Sequence, residues 1–214
     1  MTQTGGSIGP RAGHIGSTFT LTRASETTAP IQPRPLCLLL LPCELEDFAL
    51  RAHAEDLLTG PGVVEVDPPR LGRKGGMPGF LADGLAGGAA RRMRLPGFPR
   101  VLVIFQPLQY ALARGLIAAN EGAELWYWRH AAIEVAGPRR RRARFQELHL
   151  AATLRAELIV VNSEALRDDV LADGGLDPLL LEATDDPHAD NRPLWERLEA
   201  RGIESGRLGS ERIR

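Results

Sequence analysis

The sequence has little cysteine, no long apolar run and no secretory leader. Its two cysteines, Cys37 and Cys43, have no further Cys or His cluster nearby at a metal-binding spacing. We therefore expect plain thiols, no metal site and a reducing, cytoplasmic location. The longest apolar stretch, LCLLLLP from Leu36, is far too short to cross a bilayer, and the N-terminus lacks the apolar segment of a signal peptide.

Familiar phosphate-binding and nucleophile motifs are also missing. No G-x-G-x-x-G follows the first apolar run and no Walker sequence occurs, which argues against a nicotinamide dehydrogenase or a P-loop enzyme. The G-x-S-x-G turn of α/β-hydrolases is absent, because Ser163 is flanked by Asn162 and Glu164. We predict no cofactor, and we interpret Ser163 as a helix N-cap rather than a nucleophile.

The pattern that is present alternates short apolar runs with helical periodicity. With 214 residues, 43% of them hydrophobic, and a net charge of −1, the chain can bury a substantial core. Residues 1–34 are rich in Thr, Ser, Gly and Pro and are predicted to be a disordered tail. The rest predicts a doubly wound, Rossmann-like α/β fold, a parallel sheet with helices on both faces. Its expected strands are Leu36–Leu41, Val63–Val66, Val101–Phe105, Leu125–Trp128 and Leu158–Val161.

Several polar residues fall at the expected junctions between a strand and the next helix. In parallel sheets, ligands bind beyond the carboxyl ends of the strands, so these junctions are the first candidates for a site. The candidates are Cys43-Glu44, Asp67, Gln106, Arg129-His130 and Asn162-Ser163-Glu164. The consecutive aromatics Trp126, Tyr127 and Trp128 are predicted to pack in the core, and His53 and His149 to be partly buried polar residues of helices.

Four segments, in the same order along the chain, resemble one family. ELIVVNSEALRDDV resembles the segment that closes the N-terminal domain of GT-B glycosyltransferases, which consist of two Rossmann-like domains. AELWYWRHAAIE is similar to the family's strand with a Tyr-x-x-His spacing, and RVLVIFQPL to the strand below the acceptor cleft. Near the C-terminus, SGRLGSERIR resembles the first loop of the nucleotide-sugar domain. The resemblance covers roughly residues 36–170 and a patch at 206–212.

This resemblance implies an acceptor-side domain at residues 35–173, followed by a linker and the start of a second domain at 174–214. It suggests His130 as the catalytic base or an acceptor ligand, although a structural hydrogen bond explains this histidine equally well. It places Arg207 and Arg212 at pyrophosphate-binding positions, where an ordinary basic tail is the alternative. Acceptor-side candidates are Glu44, Gln106, Ser163 and Glu164.

In that family the second domain holds most of the nucleotide-sugar site. We therefore expect a nucleotide-sugar donor to bind only with a second domain, which a separately encoded C-terminal half would supply, and residues 1–214 alone to be inactive. Two interpretations stay open. The chain is either the acceptor-side part of a transferase that transfers hexosyl groups, or a non-catalytic α/β module used for binding or assembly.

The densest charge feature is the arginine run Arg139, Arg140, Arg141 and Arg142. It suits an anionic membrane surface near a lipid-linked acceptor, which would make the protein peripheral at the membrane, or it is a solvated helix face. A nucleic-acid partner is disfavoured, because the net charge is near zero and no recognition-helix motif or interleaved aromatic residue accompanies the run.

Overall fold

Six parallel strands form a single sheet at the centre of the described part of the protein. The computed structural model describes residues 34–41, 48–66, 84, 87–92, 97–130, 138–181, 184 and 186–204. The strands are β1 Pro35–Leu40, β2 Val63–Glu65, β3 Phe98–Ile104, β4 Glu124–Arg129, β5 Leu158–Val161 and β6 Leu179–Leu180. Six helices are described in full: α1 Phe48–Leu57, α2 Tyr110–Ala119, α3 Arg139–Arg155, α4 Glu164–Ala172, α5 Pro187–Asp190 and α6 Arg192–Glu199.

The strand order is β2-β1-β3-β4-β5-β6, and every neighbouring pair is parallel. β2 is added on one side of β1, and β3 to β6 are added in order on the other side. The direction in which strands are added therefore reverses between β1 and β3. This arrangement confirms the predicted doubly wound parallel sheet, and the five predicted strands are all present. Such a reversal opens a crevice at the carboxyl ends of the strands.

Helices cover both faces of the sheet, which explains why its strands are apolar throughout. On β4, Leu125 and Tyr127 belong to the core under α2, α3 and α4, whereas Trp126 and Trp128 belong to the core under α1 and α6. All three consecutive aromatics of this strand are at most 2% exposed. The prediction that they pack in the core is therefore confirmed.

Residue chemistry explains where two helices begin. Pro107 opens the 3₁₀ helix Pro107–Gln109 that leads into α2, a position where proline loses no hydrogen bond. Ser163 is extended, and its Oγ accepts a hydrogen bond from the Leu166 amide at 3.3 Å, so the predicted N-cap of α4 is confirmed.

Described residues beyond Asp173 add to the same sheet and core. β6 extends the sheet beside β5, and α6 buries Leu194, Trp195 and Leu198 under the face that α1 also covers. The prediction of a linker and second-domain start at 174–214 concerns ancestry and stays a prediction. Among the described residues, no helix is both long and apolar enough to cross a membrane.

Candidate functional site

Three predicted site residues follow neighbouring strands. Gln106 lies just beyond β3, His130 directly after β4, and Ser163 two residues after β5. Because β3, β4 and β5 are adjacent and parallel, these residues lie along the same carboxyl edge of the sheet. His130 is half-buried, and its carbonyl oxygen accepts a hydrogen bond from Asn162 Nδ2 at 3.3 Å. This bond joins the ends of β4 and β5.

Gln106 lies in a tight connection between β3 and α2. The backbone amides of Phe105 and Gln106 donate to Gln109 Oε1 at 2.8 and 2.9 Å, and the Gln109 amide donates to the Gln106 carbonyl at 3.0 Å. These bonds hold the end of β3 rigidly. The connection therefore presents a fixed backbone beside His130.

Ser163 and Glu164 have structural partners. The Ser163 hydroxyl caps α4, and Glu164 lies in the first turn, where a carboxylate suits the helix dipole. Glu164 Oε2 also lies 3.4 Å from Arg167 Nη1. Both residues lie on the edge that was predicted, and the cap accounts for the hydroxyl without a ligand.

Other predicted residues lie partly or wholly outside the described structure. Glu44, Arg207 and Arg212 are not described, and neither is the side chain of Arg141. Arg139, Arg140 and Arg142 are exposed at the start of α3.

A buried polar network lies beside this edge, under α3 and α4. Arg129 ends β4 and is only 5% exposed. Its Nη2 lies 3.1 Å from Asp169 Oδ2, and its Nη1 lies 3.4 Å from Asp173 Oδ2. Both aspartates lie on the side of α4 next to α3. The two carboxylates offset the cost of burying the guanidinium.

His149 extends this network to the middle of β4. Its Nε2 lies 2.9 Å from Asp173 Oδ2, and its Nδ1 lies 3.1 Å from the Tyr127 hydroxyl. Burial lowers the pKa of His149, and Asp173 opposes this shift through its hydrogen bond. Burial also raises the pKa of Tyr127. A neutral imidazole satisfies both neighbours, because one ring nitrogen accepts from the tyrosine and the other donates to the carboxylate.

The network borders a cleft of about 500 Å³ between α3 and α4, large enough for a small molecule. The carboxylates of Asp169 and Asp173 are 55% and 37% exposed, whereas the Arg129 side chain is 6% exposed. The positive charge is therefore at the floor and the negative charges are at the rim. The cleft is lined by Arg129, Gln146, His149, Leu150, Asp169, Ala172 and Asp173.

A second buried network fastens α1 to the C-terminal helices. Asp56 on α1 is 8% exposed. It accepts from Asn191 Nδ2 at 3.0 Å and from Trp195 Nε1 at 3.2 Å, and lies 3.1 Å from His188 Nδ1. The Asn191 amide also donates to the His53 carbonyl at 2.9 Å. These contacts join α1 to the C-terminal helices in the interior of the protein.

The sequence carried weak signals for the network of Arg129. An arginine follows four consecutive apolar residues at the end of β4, at a position that alternates with Leu125 and Tyr127 on a helix-covered face. Asp169 and Asp173 are four residues apart and so share one side of α4. Nothing in the spacing showed that α3 would bring His149 between Tyr127 and Asp173.

No protein-family model and no curated protein matches this chain. Within the described residues, no group of three or more His, Cys, Asp or Glu side chains is arranged to hold a metal ion.

Proposed function

We propose that this protein is the acceptor side of a nucleotide-sugar-dependent glycosyltransferase. The observation that carries the proposal is the placement of Gln106, His130 and Ser163 at the carboxyl ends of three adjacent parallel strands. In doubly wound sheets this edge is where ligands bind. The resemblance to GT-B enzymes supports the same edge, since its motifs include these three residues.

In this proposal His130 acts on the acceptor hydroxyl. Transfer of a sugar to a hydroxyl requires that the hydroxyl proton be accepted as the new bond forms, and histidine is the commonest general acid or base among enzyme side chains. His130 is half-buried at the end of β4, two strands from β1 along the edge where the crevice opens. The rigid connection at Gln106 and the start of α4 at Ser163 flank it and would fix the orientation of the acceptor.

The donor belongs to the other half of the proposed enzyme. The resemblance assigns pyrophosphate contacts to Arg207 and Arg212, and most other donor contacts to a second domain. Positioning the two substrates contributes a large part of such a rate, on the order of 7–11 kcal/mol. We therefore expect residues 1–214 alone to transfer no sugar, and a second domain supplied in trans to restore transfer.

Chemical shift mapping tests the acceptor side directly. ¹⁵N-labelled protein is titrated with methyl glycosides of common hexoses. We expect shifts at the amides of Gln106, His130, Ser163 and Glu164, and a weaker response in His130→Ala. His14→Ala, in the predicted tail, is the matched control and should respond like the original protein.

Shifts that cluster elsewhere, or no shift with any glycoside, would contradict the acceptor site and favour the non-catalytic binding or assembly module. Sugar transfer by residues 1–214 alone, measured with labelled nucleotide sugars, would contradict the assignment of the donor to a second domain.

A further inference from the structure

The first turn of α3 concentrates positive charge on a chain whose net charge is −1. Arg139, Arg140 and Arg142 are all exposed there, and the turn contains no acidic residue. Among the described residues, none forms an ion pair or hydrogen bond with these three side chains. Within that part of the chain their charges are not neutralised. We call these three residues the basic turn.

The basic turn is not explained by the stability of its helix. The start of a helix carries the positive end of the helix dipole, so arginine is favoured at the last turn and disfavoured at the first. Pro138, at the N-cap of α3, makes no side-chain cap. An anion at this position would balance both the arginines and the unsatisfied amides of the first turn.

The basic turn lies at the same edge of the sheet as the candidate acceptor site. α3 is the helix that follows β4, so its first turn is on the side where β4 ends at His130. The 3₁₀ helix Pro107–Gln109 packs against α3, and its Leu108 is 49% exposed. An exposed leucine at the same edge of the sheet as exposed arginines is a combination found on proteins that bind the surface of a bilayer.

We propose that this edge binds an anionic membrane surface, with the basic turn on the lipid phosphates and Leu108 in the interface. The inference rests on the proposed function, because it names the substrate class: the acceptor hydroxyl belongs to a membrane-anchored molecule that lies below His130. A bilayer fits better than a nucleic acid, since the arginines occupy one helical turn and an exposed apolar side chain lies at the same edge of the sheet.

Vesicle sedimentation of the full chain tests the surface without any sugar. We expect binding to phosphatidylcholine vesicles that contain phosphatidylglycerol and not to pure phosphatidylcholine, with binding that falls as salt is added. Each arginine near an anionic surface changes the partition coefficient onto vesicles about fivefold. We therefore expect binding to weaken roughly 100-fold in the triple variant Arg139→Gln, Arg140→Gln, Arg142→Gln. Leu108→Ser should weaken it by a smaller factor.

The matched control removes the same charge from the opposite face of the sheet. Arg51, Arg192 and Arg197 are exposed on α1 and α6, and replacing all three with Gln should leave most of the binding in place. Equal binding to neutral and anionic vesicles, or equal losses in the two triple variants, would overturn the proposal. Tight binding to short duplex DNA or RNA with no binding to vesicles would replace the membrane with a nucleic acid.

Nanodiscs with a spin label on the headgroup test the orientation. We expect broadening of the amide signals at Gln106, His130 and Ser163 together with those of the basic turn. Broadening of the amide signals of α1 and α6 instead would overturn the proposed orientation. The outcome is separable from that of the glycoside titration: vesicle binding without glycoside shifts leaves a membrane-surface module and removes the proposed function, whereas the reverse leaves a transferase domain with a freely diffusing acceptor.

Discussion

His149 is held in its neutral form mainly by burial, and Asp173 opposes this effect. The Tyr127 hydroxyl lies beside one ring nitrogen and the Asp173 carboxylate beside the other, while Arg129 adds a positive charge nearby. Burial lowers the pKa of this histidine in the folded protein. Below about pH 6.5 the unfolded chain therefore binds a proton that the folded chain takes up only at lower pH.

We expect the contribution of His149 to the free energy of unfolding to be largest above about pH 6.5 and to decrease as the pH falls below that value. His149→Gln should lower stability by about 1–3 kcal/mol at neutral pH, because Tyr127 and Asp173 lose part of their hydrogen bonding. The variant should also lose stability less steeply on acidification. Urea unfolding at several pH values measures both effects, and an unchanged pH dependence in the variant would contradict the role of His149.

At the scale of residues, sequence reasoning identified positions better than partners. His130, Gln106 and Ser163 were predicted at strand ends and lie there, because an apolar run followed by polar residues marks the end of a buried strand. The partners of Arg129 are 40 and 44 residues away, and Asp173 is 24 residues from His149. Such contacts depend on how helices pack on the sheet and on each other, which periodicity along the chain does not encode.

Among the elements, α4 allows the structural role of Ser163 as its N-cap to be tested separately from ligand binding. The cap at Ser163 satisfies one of the amides that a helix start leaves unpaired. Ser163→Ala should cost about 1 kcal/mol of stability, and Ser163→Asn, which retains a capping oxygen, should cost only a few tenths. Urea unfolding of the two variants tests this difference. If alanine were as stable as serine, the hydroxyl would have to be explained by a ligand rather than by the helix.

The strands were predictable because both faces of the sheet are covered. Each strand is then a nearly continuous apolar run, and such runs stand out between amphipathic helices. β6 was not predicted: it has only two residues, Leu179 and Leu180, and both are half-buried. α5 was not predicted for a related reason, since it has four residues and lies in a segment rich in Asp and Pro.

At the scale of the whole molecule, α6 and α1 together cover the face of the sheet that contains Trp126 and Trp128. Trp195 is 2% exposed, and its ring packs so closely on Gly60 that a methyl group there would lie 2.5 Å from it. Trp195→Ala should lower the free energy of unfolding by about 3–5 kcal/mol, since it removes a large buried side chain and the indole bond to Asp56.

Leu171→Ala is the control for this change. Leu171 is 45% exposed, so its truncation should alter stability by at most about 0.5 kcal/mol. Thermal unfolding followed by far-UV circular dichroism measures both variants. We expect Trp195→Ala to unfold in a single step at a lower temperature than the original protein. Unfolding in two steps would show instead that α5 and α6 are only loosely attached.

The bonds of Asp56 also have a consequence for synthesis on the ribosome. Its partners His188, Asn191 and Trp195 come 132 to 139 residues later in the chain. At about 5–20 residues per second, roughly 2–8 s separate the completion of β5 from the appearance of Ile203. During that interval Trp126, Trp128 and their apolar neighbours lack the part of their cover that α6 supplies, so we expect a nascent chain arrested before Arg192 to expose apolar surface.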